Sequence, residues 1–546
     1  MNSRSNRSSI SLALGLLLFA GCISSPGYSQ SQTASHPHVF SGIRHDVSRP
    51  LRAMKSAQGA STGSEDEDDQ DGDARRFAAV GPKLAEVFSD PVQQDFPGPP
   101  FRGILGVQFD GLSIGTGWVV PDTNGAIGPT QFVEWINTQY AVFDRTTGAI
   151  ILGPEKGNTL WQGFGGLCES NNNGDPLAQY DKQAGRWVLT QHANAPLGKI
   201  SYQCVAVSVT SDATGSYYRY AFPLPLNDFP DYPKISTWPD AYYLTVDEFL
   251  LSNLQVEVGP YVCALDRTSM LLGLDATAQC FQLGPTYLSL LPSDWDGNTP
   301  PPVGSPNYLM SLGVDSLNLW QFHVDFSNPL NTTLTGPASI AVAPFKKPCR
   351  TGGMCVPQPG TNQLLDSIGD RLMYRLAYRN FGDHESLVAN HAVTAHGGVS
   401  VRWYEIRSPG STPVVYQQET ASPNSNSRWM ASIAMDQLGD IGLGFSESSS
   451  STYPSIAITG RKANDPLDTM ESEALITAGA GSETGSYRWG DYTSMLIDPL
   501  DDCTFWFTGE YLPATGNHNW MTHIVSFSFP SCTRATDNLA SQPGRR

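Results

Sequence analysis

From about residue 101 onward, short apolar runs alternate with polar, turn-rich stretches, and hardly any segment repeats its apolar positions at helical spacing. The pattern predicts strands. Runs that follow a polar turn line up as Gln131–Asn137, Asp175–Asp181, Asp240–Asp247, Asn307–Val314, Glu385–Val393, Arg428–Asp436 and Asp491–Asp498. Each is followed by a second strand: Tyr140–Asp144, Arg186–Gln191, Tyr261–Asp266, Leu317–Phe326, Val399–Arg407, Ile441–Ser446 and Cys503–Tyr511. Such a repeat predicts an all-β fold, a seven-bladed β-propeller over residues 101–532. Trp520–Phe529 supplies a third strand to the last unit. The orphan strand Gly103–Phe109, ahead of the first unit, supplies the fourth, so strands from both ends close the ring and few edges stay exposed. A large sandwich, or two β-domains, is the competing architecture.

Composition narrows the class. Of 546 residues, 40% are hydrophobic and only 16% charged, which excludes a wholly disordered chain and a coiled coil. The net charge of −19 makes free nucleic acid and anionic membrane surfaces poor partners. Arg4 and Arg7 precede the short apolar run Ile10–Ala20, which ends in Phe19-Ala20-Gly21-Cys22. This predicts a signal peptide over 1–22 with a lipobox-like Cys22 as lipidation site, and so an outer-envelope lipoprotein. Phe19 stands where Leu is usual, which leaves simple secretion open. Membrane contact is then through a lipid anchor only. Residues 23–95, with the run Glu65–Asp73, read as a disordered acidic and Ser-rich tether, and 533–546 as a disordered tail.

Nine cysteines are present, and eight remain without Cys22. In an exported chain they should form disulfides, and local pairing gives Cys168–Cys204, Cys263–Cys280, Cys349–Cys355 and Cys503–Cys532. Without a CxxC pair or a His/Cys cluster, the zinc reading is weak.

Candidate chemistry gathers at polar strand starts. Asp175, Asp240, Asp383 and Asp491 each follow a Gly or Pro, and Asp122-Thr123-Asn124 precedes the first unit. If all begin channel-lining strands, their side chains converge on one axial mouth. Three readings stand side by side. Gly-Asp and Pro-Asp are ordinary turn dipeptides. Clustered carboxylates and an amide suit a hard cation, with Asp122 and Asn124 as ligands of Ca²⁺. Closely held carboxylates raise one another's pKa and make an acid/base set, drawn from Asp240, Asp383, Glu385 and Asp491. Asp175, His384, Arg379, Trp238 and Tyr492 are the accompanying substrate-binding candidates, with Arg375 and Arg379 able to clamp a carboxylate. Exposed positions on an outer strand are the plainer reading of those arginines, and packing that of the aromatics. No GxSxG, HExxH, P-loop or Rossmann pattern occurs.

Pro121–Pro129, Gly153–Gly166 with Asn158-Thr-Leu-Trp161, and Arg488–Tyr492 followed by Asp498-Pro and Asp502–Trp506 resemble motifs of a family of large secreted bacterial β-rich proteins. That resemblance implies export and a shared propeller-like fold and supplies no catalytic residues. The expected function is binding, and cleavage if the protein is an enzyme, of an extracellular glycan at the axial mouth, by hydrolysis or β-elimination. The alternative is a non-catalytic scaffold that engages an envelope or matrix protein. A monomer is expected, with Ca²⁺ the one cofactor considered.

Overall fold

A computed structural model describes residues 36–55, 88–113, 120–349 and 353–532. The export signal with Cys22, the run Glu65–Asp73 and the tail 533–546 lie outside the described residues. The fold is all-β, as the alternation predicts. Successive four-stranded antiparallel runs follow one another along the chain. The first sheet is Asn124–Ile127, Gln131–Ile136, Gln139–Asp144 and Ile150–Lys156, and the second Leu177–Asp181, Arg186–Ala193, Tyr202–Ser208 and Tyr217–Pro223. The third is Asp228–Thr237, Tyr242–Leu250, Glu257–Leu265 and Thr277–Gln282, and the fourth Leu291–Asp296, Asn307–Leu312, Ser316–His323 and Thr333–Ala341. The fifth is Met373–Asn380, Glu385–Ala395, Gly398–Arg407 and Val414–Ala421, and the sixth Ser427–Met435, Ile441–Ser448, Ser455–Arg461 and Ala474–Thr477. The last sheet holds Ser494–Ile497, Phe505–Tyr511 and Met521–Ser528, and its fourth strand is Ile104–Ser113 from the other end of the chain.

The first strands touch in sequence. That of each sheet contacts that of the next, and Ser494–Ile497 contacts Asn124–Ile127. The fourth and fifth sheets go further and join through a parallel pair of first strands, with Ser293 opposite Leu376 and Asp296 opposite Arg379.

Each neighbouring pair of sheets shares a core. Trp135, Tyr140 and Trp187 fill the first interface, and Val205, Tyr220, Leu244 and Tyr261 the second. Trp238, Tyr243, Tyr308, Phe322, Leu387 and Tyr404 fill the space among the third, fourth and fifth sheets. Trp403, Ile433 and Leu443 continue the series, followed by Ile456, Phe505 and Phe507, and Phe132, Phe143 and Trp506 return to the first sheet. Strands packed on both faces bury nearly every position, as Ser427–Met435 does. Gly444 has no room for a side chain, because a Cβ there would meet the Phe507 ring at 2.5 Å.

Two expectations need correction. First, residues 36–55 and 88–95 are not wholly a tether. His38–Ser41 pairs with Thr277–Gln282 and Arg44–Val47 with Tyr217–Pro223, so the N-terminal segment caps two outer edges. Gln93–Gln94 runs parallel to Thr420–Ala421, and Asp90 forms a fully buried ion pair with Arg402 at 2.6 Å. These strands are short, half-exposed and polar, so they carry no apolar alternation to read. Second, four of the seven aligned runs are second strands. Those beginning at Gln131, Asp240, Asn307 and Glu385 each pair with a preceding first strand. Pro230, Pro233 and Pro292 lie inside two of those first strands, where proline argues against a strand.

The four disulfides join the cysteines that local pairing predicts. They are consistent with an exported protein. Among the described residues no helix is long and apolar enough to cross a membrane.

Candidate functional site

The start of a first strand is here called its entry end and the finish its exit end. Six first strands carry a non-glycine residue in the left-handed region, just before the strand at Asp122 (φ 47°), Asp175 (47°), Ser289 (50°) and Asp491 (62°), and within it at Tyr232 (51°) and Met430 (49°). A left-handed residue before a strand turns the chain sharply into it, and Asp tolerates that conformation better than most residues.

At the entry end, side chains from separate sheets meet. Tyr232 N–H donates to Asp175 Oδ2 at 2.8 Å, and Tyr232 O–H to the Asp491 carbonyl at 3.3 Å. Tyr492 O–H donates to the Pro176 carbonyl at 3.0 Å. Lys234 Nζ lies 3.3 Å from the ring centroid of Tyr232 and 4.1 Å from that of Tyr492. Burial pushes the Lys234 ammonium down to about 8, against the pull of Asp175, Asp122, Asp231 and Asp247. Burial likewise pushes Asp247 up to about 6, opposed by the N–H and O–H of Ser289. Arg488 pairs with Asp491 at 2.7 Å, and the Arg371 guanidinium lies 4.6 Å over the Tyr232 ring. Lys234, Tyr232 and Tyr492 form a buried floor, whereas Asp175, Asp231, Asp370, Arg371 and Asp491 stay partly exposed above it.

The structure therefore unites Asp122, Asp175, Asp491 and Tyr492. Asp122 accepts from Asn137 Nδ2 at 2.8 Å. The Asn124 carboxamide donates to the carbonyls of Asp122, Trp135 and Pro176 and accepts from Ala178 N–H, so it ties the first sheet to the second. Among the described residues no group of three or more His, Cys, Asp or Glu could hold a metal ion.

Asp240, Asp383 and His384 lie in turns that follow first strands and Glu385 opens the next strand, all at exit ends, whereas Asp491 stands before a first strand. This is the consequence of the misplaced register. Asp240 faces the Tyr243 hydroxyl at 3.2 Å, and burial pushes its carboxyl up to about 6. Asp383 bonds His384 at 2.7 Å and is held below its ordinary value by that contact. Glu385 accepts from Tyr378 O–H. Arg379 sits on a buried first strand and is spent on Asp502, with bonds of 3.0 and 2.7 Å, and on the Met435 carbonyl. Arg375 is equally buried, between Asp294, Asp296 and the Met495 carbonyl. Neither arginine is an outer-strand position or an open clamp. Trp238 is core, 4.8 Å from the Tyr378 ring. The exit end also holds a cavity of about 450 Å³, where Lys182 lies 4.8 Å over Trp295.

Sequence reading missed Tyr232, Lys234, Arg371 and Arg488. A signal was present: the Asp-Tyr dipeptide of 491–492 recurs at 231–232, within the first strand of the third sheet.

No known family matches this sequence, and no curated protein matches it. Among solved structures, a protein of unknown function from Dyadobacter fermentans is 12% identical, covering 65% of this chain and 94% of its own, with a TM-score of 0.34. An exo-beta-1,3-galactanase from Clostridium thermocellum is 9% identical, covering 72% and 81%, with a TM-score of 0.30. The Hadza microbial sialidase Hz136 is 10% identical, covering 74% of each chain, with a TM-score of 0.34. Likenesses this low carry no argument about what the chain does.

Proposed function

We propose that the sheets are seven blades of a β-propeller, closed by Ile104–Ser113, and that the entry end of its axis binds an extracellular glycan. The blade reading is supported by the sequential contact of first strands, by the cores shared between neighbours and by the recurring left-handed residue. The glycan reading rests on one observation. Carboxylates of Asp175 and Asp491, from two different sheets, flank the packed rings of Tyr232 and Tyr492 at a single end of the fold. Carboxylates accept hydrogen bonds from sugar hydroxyls, and the partly exposed Arg371 offers donors to an acidic sugar. The acid/base set from the sequence is split between the two ends, so this proposal is one of binding. Export, with or without a lipid on Cys22, belongs to the same reading.

An array of acidic and neutral polysaccharides tests it. The wild-type chain should bind at least one class, and Asp175→Asn with Asp491→Asn should weaken that binding at least tenfold. Asn tolerates the left-handed backbone at both positions, so the fold is preserved. Unchanged binding in the double variant would sink the assignment.

A further inference from the structure

A second cavity, of about 810 Å³, lies against the two outer strands of the second sheet, Tyr202–Ser208 and Tyr217–Pro223. Its size falls within the range of small-molecule pockets. Three segments build it, and each is held independently. Ile43 N–H donates to the Ala221 carbonyl at 2.9 Å, which fixes the N-terminal strap. Glu169 accepts from the Gly163 and Gly165 amides at 2.8 and 2.6 Å, and the Cys168–Cys204 disulfide anchors the same loop to the sheet. The Pro196–Ile200 turn is closed by Lys199 N–H on the Pro196 carbonyl and tied down by Gly198 N–H on Asn227. The pocket is thus preformed, and its loop belongs to the Gly153–Gly166 motif that the axial site leaves unused.

Its walls are largely apolar, from Ile43, Phe164, Leu167 and Ile200, and Ile43 remains 58% exposed. Two cations share the lining, Arg44 and Lys199. The Arg44 guanidinium stacks 5.4 Å over Phe164, and among the described residues neither Arg44 nor Lys199 has a carboxylate within ion-pair reach. Arg219, over the same ring at 5.2 Å, is by contrast neutralised by Asp46. Two uncompensated cations beside an apolar recess, in a chain of net charge −19, form a local exception. From this we infer that the pocket binds an amphipathic carboxylate, a single apolar tail with an anionic head. The tail fills the apolar walls and the carboxylate meets Arg44 and Lys199.

Calorimetry on the full chain tests this with decanoate and, as a charge-inverted control of equal tail length, decyltrimethylammonium. Decanoate should bind at one site, and the ammonium at least tenfold more weakly. Arg44→Glu with Lys199→Glu, both surface positions, should weaken decanoate at least tenfold with an unchanged melting temperature. Ile200→Asp should weaken it too, through the wall and not the rim. Equal binding of the two amphiphiles, decanoate affinity untouched by the charge reversal, or sedimentation with anionic vesicles in place of decanoate binding would overturn the inference.

Discussion

Replacing Arg379 by Met separates a sugar clamp from an internal tie. The guanidinium bridges the fifth sheet to Asp502 in the turn between the last sheet's first two strands, in bidentate geometry, and bonds the Met435 carbonyl at 2.9 Å. Both side chains are under 10% exposed, at 5% and 9%. Removing one partner strands a buried carboxylate, which costs about 3–5 kcal/mol. With about 450 described residues and about 2.1 cal/mol/K each at the midpoint, a loss near 4 kcal/mol lowers Tm by roughly 4 °C. Asp502→Asn is the second arm of a double-mutant cycle. Asp502 has φ 57°, which Asn accepts, so the double variant removes the stranded charge without straining the backbone. It should regain about half of the stability lost in the Arg379→Met variant, about 2 kcal/mol. Differential scanning fluorimetry reads Tm, and the polysaccharide array reads binding in the same samples. An unmoved Tm together with abolished glycan binding would refute the internal-tie reasoning and restore Arg379 as a clamp.

Further outcomes follow from the same contacts. Glu134 is buried, accepts from Leu112 N–H of the closing strand at 2.8 Å, and is pushed up to about 7 by burial. Its folded value exceeds its unfolded one, so its contribution is full below about pH 4.5 and is lost as pH rises through about 7. Glu134→Gln should therefore flatten the fall in Tm between pH 5 and 8, and an unchanged slope would count against the assignment. Removal of residues 1–47 should bare the outer edges of the second and third sheets and promote aggregation, as light scattering would show. Because the Asn124 amide is engaged by backbone, chelator should leave Tm unmoved, and a shift of several degrees would revive a Ca²⁺ site.

Much of the architecture was legible because disulfide spacing and strand alternation are local signals. The orphan strand before the first unit announced its role because no neighbour in sequence paired with it. The N-terminal strap stayed silent, since His38-Val-Phe-Ser41 covers an edge and buries little. The site was half legible. Asp175 and Asp491 were found because Gly-Asp marks a left-handed entry into a first strand. Asp383 carries the same Gly-Asp signal, and Asp240 the related Pro-Asp, in the turn after a first strand, where Asp caps its own backbone, and nothing local distinguishes the two ends. Lys234 was hidden just after Pro230 and Pro233, in a strand that reads as a loop. Only the pairing of Asp228–Thr237 with Tyr242–Leu250 places it beneath the mouth.

The most direct test is a crystal structure of the chain soaked with the oligosaccharide that binds best on the array. The account predicts sugar density against Asp175 and Asp491 over the rings of Tyr232 and Tyr492. Sugar seated instead at the opposite end, in the cavity between Lys182 and Trp295, would contradict it.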